Sequence, residues 1–130
     1  MSLMFRHFSA FFLLLGSILL PILVVGRTNK EEAVRYRIER LSKALSAFKR
    51  DVGRFPKTIE GLSPLVLRPA DLANWHGPYL NNPTVSLDSW GNPYVYFCPP
   101  KYGNDAYDLY SSGQNRIDEH GGGDDLANWR

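Results

Sequence analysis

The stretch from Ser111 to Asp125 is where this chain concentrates groups that could do chemistry. It is rich in Asn, Asp and Gly, too polar to form core, and dense in oxygen atoms. A hard cation such as calcium takes six to eight oxygens at ~2.3–2.6 Å from carboxylates, amide and backbone carbonyls, and water. Glycines such as Gly121, Gly122 and Gly123 let a loop turn tightly enough to aim several of them at one point. The spacing does not match an EF-hand, so a solvated acidic loop with no ion stands beside the cation site. Catalysis is the weaker chemistry. Ser111, His120 and Asp124 can be drawn as a triad, yet no nucleophile elbow and no Gly-rich phosphate cradle accompanies them. His7 lies at the edge of an apolar run and His76 sits between Trp75 and Gly77. The chain reads as a non-enzyme.

Positioning such a loop requires a frame, and the pattern upstream supplies one. Val34, Ile38, Leu41, Leu45 and Phe48 recur at spacings of four, three, four and three, one apolar stripe on a helix running to about Asp51. Thr28 or Asn29 can cap that helix, with Glu31 and Glu32 in its first turn. Alternatively it continues an earlier helix bent near Pro21–Gly26. Gly53 followed by Pro56 ends it. Thr58–Leu62 and Pro64–Val66 read as a short helical turn packed on this stem. Leu87–Phe97 reads as two extended pieces around the turn Trp90-Gly91-Asn92-Pro93, and Ala106–Ser111 as a half-buried, alternating strand. The fold class is therefore α+β, with one long helix and about three short strands. Trp75, Tyr79, Trp90, Tyr94, Tyr96 and Trp129 are read as packing for a small head rather than as a stacking surface.

The 130 residues leave room for one small domain, part of the length going to an apolar run. Phe8–Gly26 carries no charge over 19 residues, about the length that crosses a ~30 Å hydrocarbon core. A retained membrane helix is preferred to a signal peptide, because Val24-Val25-Gly26 lacks an Ala-x-Ala cleavage pattern. The single Cys98 excludes an internal disulfide and zinc-finger spacing, and it reads as a buried thiol. Residues 27–50 hold eight Lys/Arg against three Asp/Glu, whereas residues 51–130 hold six against ten. A basic stem and an acidic head could favour head-to-stem packing between copies, but the preferred reading is that the stem's charges, spread around a helix, solvate it or meet lipid headgroups. The acidic head would repel nucleic acid. By positive-inside counting, Arg27, Lys30 and Arg35 against Arg6 would put the C-terminal side in the cytoplasm.

Six short segments in register carry a resemblance. They are Asp51-Val52-Gly53-Arg54-Phe55-Pro56, Glu60-Gly61-Leu62, Asn74-Trp75-His76-Gly77-Pro78-Tyr79-Leu80, Asp88-Ser89-Trp90-Gly91-Asn92-Pro93-Tyr94, Asp108-Leu109-Tyr110-Ser111-Ser112-Gly113 and Asp125-Leu126-Ala127-Asn128-Trp129. Together they resemble the major pseudopilin, or G subunit, family of bacterial type II secretion systems, from about Pro21 to Trp129. The resemblance implies a pilin-like fold, a long N-terminal helix on a small antiparallel sheet with a calcium-binding C-terminal loop. It implies three regions: an N-terminal transmembrane helix over 1–26, the soluble stem over 27–52 and a head over 53–130. It also implies a single-pass inner-membrane protein with its head in the periplasm, against the charge count above. Such a subunit self-associates and meets other pseudopilins and inner-membrane secretion proteins, to support export across the outer membrane.

By the same resemblance the calcium ligands fall on the side chains of Asn115, Asp124 and Asp125 and the backbone carbonyls of Ser112 and Ile117. Asn115 stands where the family usually has Asp, which removes one negative charge. Asp118 or Glu119 could compensate. The family's basic leader ending in Gly-Phe, and the Glu shortly after it, have no counterpart here, since no acidic residue precedes Glu31. The expectation is either a coding start further upstream or a non-polymerising, membrane-tethered binding module.

Overall fold

A computed structural model describes the backbone of residues 16–81, 87–103 and 105–130, with side chains from Asn29 onward. Helix α1 runs unbroken over Gly16–Val52. It passes straight through Thr28 and Asn29, so neither is a cap and the continuous alternative holds. Its termination follows the expected chemistry. Gly53 adopts φ +87, a conformation that costs glycine nothing, and its N–H donates to the Lys49 carbonyl at 2.7 Å. The expected span Phe8–Gly26 lies partly outside the described residues. Among the described residues, no helix is long and apolar enough to cross a membrane.

Three antiparallel strands lie against the stem: β1 (Val95–Phe97), β2 (Asp108–Ser111) and β3 (Leu126–Ala127), in the order β1-β2-β3. Tyr96 pairs with Leu109 and Ser111 with Leu126. The strand expected just before Trp90 does not form among the described residues. Asp88–Gly91 instead makes a hydrogen-bonded turn, and the third strand comes from the Leu126-Ala127 pair. The stripe is buried throughout: Val34, Ile38, Leu41, Leu45 and Phe48 form one core with Leu62, Leu65, Tyr96, Leu109 and Leu126. Leu62 caps the 3-10 turn Ser63–Leu65 and Leu65 closes it, where a short helical turn on the stem is expected.

Strand β2 departs from the half-buried alternation, because all four of its residues are buried. Successive side chains face opposite ways, and here both sides are covered. Leu109 enters the core on the stem side. Tyr110 makes edge-on ring contacts with Tyr102 and Trp129. The aromatic loop Asn74–Leu80 also packs onto the head, with Trp75, Tyr79 and Leu80 against the core. Trp75 Nε1 donates to the Pro64 carbonyl at 2.7 Å, and the Tyr79 hydroxyl donates to Asp51 Oδ2 at 2.9 Å. Cys98 is half-buried rather than buried, with its Sγ 3.7 Å from the Ala106 carbonyl.

Candidate metal centre

The loop between β2 and β3 is built from a carboxylate scaffold at its base. Asp88 is buried and accepts from Trp90 N, Asn92 N, Asn92 Nδ2 and Ser111 Oγ. Burial alone would raise this carboxyl. The hydrogen bonds from Ser111, Asn92 and Trp90 outweigh it and hold the group below the ordinary aspartate range. Asn92 Nδ2 also reaches the Gly113 carbonyl at 3.3 Å. The Asp88–Asn92 turn therefore anchors the end of β2, where the loop departs.

Past Gly113 the chain folds back on itself. A Cβ on Gly113, at φ +66, would run into the Asp124 main chain, so only glycine permits this approach. Asn115 N donates to Asp124 Oδ2 at 3.0 Å, and Asn115 Oδ1 accepts from Ile117 N at 2.7 Å. Asp125 is 5% exposed, and its Oδ2 accepts from Glu119 N at 3.0 Å and Gly121 N at 2.8 Å. Glu119 Oε2 accepts from Asp124 N at 3.0 Å and from Asn115 Nδ2 at 3.2 Å. One carboxylate oxygen from each of Glu119, Asp124 and Asp125 lies within 4.8 Å of the others.

Two of those carboxylates are electrostatically incomplete. Asp124 Oδ1 and Asp125 Oδ1 are buried and accept no hydrogen bond. Such an atom carries a desolvation cost of about 1–3 kcal/mol, more when charged. Burial pushes the Asp125 carboxyl up, the Gly121 and Glu119 N–H groups pull it back, and the charges of Asp118 and Glu119 push it up again. The balance lies above the ordinary aspartate value. Clustered carboxylates with unpaired buried oxygens fit a bound cation, which supplies what the protein leaves out. An acidic metal centre is what these side chains could form.

Of the five residues expected as ligands, Asp124 and Asp125 meet in the cluster. Asn115 bonds to both Asp124 and Glu119 at its edge. Ser112 is buried beside the Gly113 contact, and Ile117 is exposed with its N–H tied to Asn115. Glu119 joins them, and Asp118 does not. Asp118 Oδ1 accepts from the Tyr110 hydroxyl at 2.8 Å and from His120 N at 2.9 Å. His120 Nδ1 also reaches that oxygen, and its ring stacks on Tyr102 at 4.4 Å. Ser111 Oγ is committed to Asp88, so the drawn triad is not assembled.

A protein-family model described as "Type II secretion system (T2SS), protein G" matches residues 23–129. The chain belongs to that family. Its role is accordingly that of a structural subunit of the secretion system, not of a catalyst. The type II secretion system core protein G of Aeromonas hydrophila is 33% identical over 124 residues, covering 89% of this chain and 80% of the relative. That of Escherichia coli K12 is 36% identical over 123 residues, covering 88% and 79%. The crystal structure of the major pseudopilin from the type 2 secretion system of enterohaemorrhagic Escherichia coli shares the fold. It superposes with a TM-score of 0.66 at 23% identity, covering 82% of this chain and 92% of that one. In this chain the long helix and the three-stranded sheet reproduce a pilin-like architecture.

Proposed function

We propose that this subunit polymerises into a secretion pseudopilus as a calcium-pinned head on a helical stem. Residues 1–26 would hold it in the inner membrane in a single pass, 27–52 would form the soluble stem, and 53–130 the periplasmic head. Self-association runs through α1 and contacts with other pseudopilins and inner-membrane secretion proteins. Family membership supports this reading over that of a non-polymerising binding module. No reaction step belongs to the chain; it works by shape and rigidity.

The observation that carries the calcium reading is the buried, unpaired Oδ1 of Asp125, within a cluster of three carboxylates. All-oxygen donors of this charge suit a hard divalent cation rather than a soft one. Calcium would be held by Asp124 and Asp125, with Asn115 and the carbonyls of Ser112 and Ile117 in reach of the same loop. The physical consequence lies in what the loop tethers. Asp125 immediately precedes β3, and β3 packs on both β2 and the stem. An ion at Asp125 therefore fastens the C-terminal strand to the rest of the head. An ion that binds only the folded state raises stability, so chelation of the full chain in detergent lowers the head's melting temperature by several degrees. Superimposed melts in calcium and in chelator would refute the site.

A further inference from the structure

The acidic cluster offers a more specific conclusion about which residue supplies its third charge. Asn115 is neutral, and its Oδ1 already accepts from Ile117 N. Its amide nitrogen lies 3.2 Å from Glu119 Oε2. That same oxygen accepts from Asp124 N at 3.0 Å, while no hydrogen bond to Glu119 Oε1 occurs among the described residues. The side chain fits here only because Gly123 has none: a Cβ at that position, where φ is +49, would occupy the Glu119 carboxylate itself. Asp118, the other acidic neighbour, is drawn away by Tyr110 and His120. Independently of the cluster's own bonds, Asp125 is 95% buried with an oxygen that no protein donor reaches, so the site is incomplete without a cation.

We infer that Glu119 is a direct calcium ligand through Oε1, supplying the negative charge that Asn115 lacks, and that Asn115 acts as a positioning residue for it. This rests on the calcium reading above. Ligand charge count tunes the affinity of oxygen sites, so moving the charge from position 119 to 115 should conserve binding, whereas deleting it should not.

Calcium titration calorimetry on the detergent-solubilised full chain tests this with Glu119→Gln, and with Glu119→Gln combined with Asn115→Asp. The single variant should bind calcium about tenfold or more weakly, and the double variant should recover most of that loss. Wild-type binding with an unchanged Glu119→Gln affinity would overturn the Glu119 assignment and leave the calcium reading intact. No calcium binding by the wild type would overturn both. A second measurement needs no substitution and so is immune to misfolding. With 13C-labelled glutamate carboxylates, calcium should shift one infrared carboxylate band of the wild-type chain. The other described glutamates, Glu31, Glu32, Glu39 and Glu60, lie outside the loop. An unmoved glutamate band in a chain that binds calcium would rule Glu119 out.

Discussion

Two buried aspartates, seventeen positions apart in the same head, meet opposite fates. Asp108 opens β2 with no exposed surface, and protein donors surround it. Its Oδ2 accepts from Lys101 N at 2.6 Å and Tyr102 N at 2.8 Å, and its Oδ1 accepts from Gly103 N at 2.9 Å. Asp125 precedes β3 and is almost as buried, yet one of its oxygens has no partner. A carboxylate completed by backbone donors is a clamp whose energy depends on nothing outside the chain. A carboxylate left incomplete depends on what the solution provides. The same residue type is self-contained in one place and left with an unpartnered oxygen in the other, and the difference lies in the N–H groups that converge on it, three at Asp108 and two at Asp125.

Replacing the two separately should make this contrast measurable. Asp108→Ala abandons three partly buried N–H groups and empties a buried carboxylate site, and it should cost about 2–4 kcal/mol whether or not calcium is present. Asp125→Ala should behave differently. It should remove most of the calcium-dependent rise in melting temperature, a loss of about 2–3 kcal/mol when the ion stands near a hundredfold above its Kd. It should cost the chelated protein less than Asp108→Ala, because the two N–H groups it abandons are offset by removal of the unpartnered buried oxygen. Thermal melts of both variants with and without calcium supply the check. A calcium-sensitive Asp108→Ala, or an Asp125→Ala as calcium-responsive as the parent, would erase the distinction.

Acid should narrow the same contrast. The Asp125 carboxyl is raised in the folded, ion-free protein. Without calcium, its ionisation therefore costs stability above the folded value, and that cost is relieved as pH falls through it. With calcium the sign reverses, since the ion binds the deprotonated carboxylate and protons displace it. Melts in calcium and in chelator should thus converge as pH drops through the carboxylate range. A calcium shift that survives strong acid unchanged would place the ion elsewhere.

How much of this could be read from the chain depended on the length scale of each signal. The stem stripe from Val34 to Phe48 repeats over four turns, so its period was unmistakable, and every member is buried. The strands span two to four residues, too short for alternation to declare itself. Covering β2 with Tyr102 and Trp129 erased what alternation there was. The Asp88 motif was legible as a turn but not as the buried clamp that ties Asn92 and Ser111 together. In the loop, composition marked the stretch from Ser111 to Asp125 as a whole, and Asp124 and Asp125 were picked out within it by the family resemblance. Asp118 and Glu119 are adjacent and chemically alike, so the chain alone could not separate them. The choice is made by a hydroxyl from β2, which captures Asp118, and by the missing side chain of Gly123, which admits Glu119. Both are contacts across the loop and leave no local signature.

The smallest expected effect sits outside the loop, in a second self-sufficient carboxylate just past the end of α1. Arg54 and Glu60 form a two-pronged ion pair at 2.7 and 2.8 Å, and Lys57 N donates to Glu60 Oε2 at 2.6 Å. The Arg54 hydrogen bond is the largest influence on this carboxyl. Together with the Lys57 N–H it outweighs burial and lowers the group from 4.5 to about 2. A lowered folded value means that the stabilisation is fully present above pH 4.5 and is lost as pH falls from there towards 2. The pair is partly exposed, with side-chain accessibilities of 34% and 22%, so solvent screening limits it to roughly 1–2 kcal/mol. Glu60→Gln should therefore be destabilised by that amount at neutral pH and match the parent near pH 2. Its response to calcium should be intact, because the bonds of Glu60 are to Arg54 and Lys57 and to no residue of the loop. A Glu60→Gln variant that lost its calcium response would mean that the two halves of the head are coupled, and that completeness of a carboxylate does not make it local.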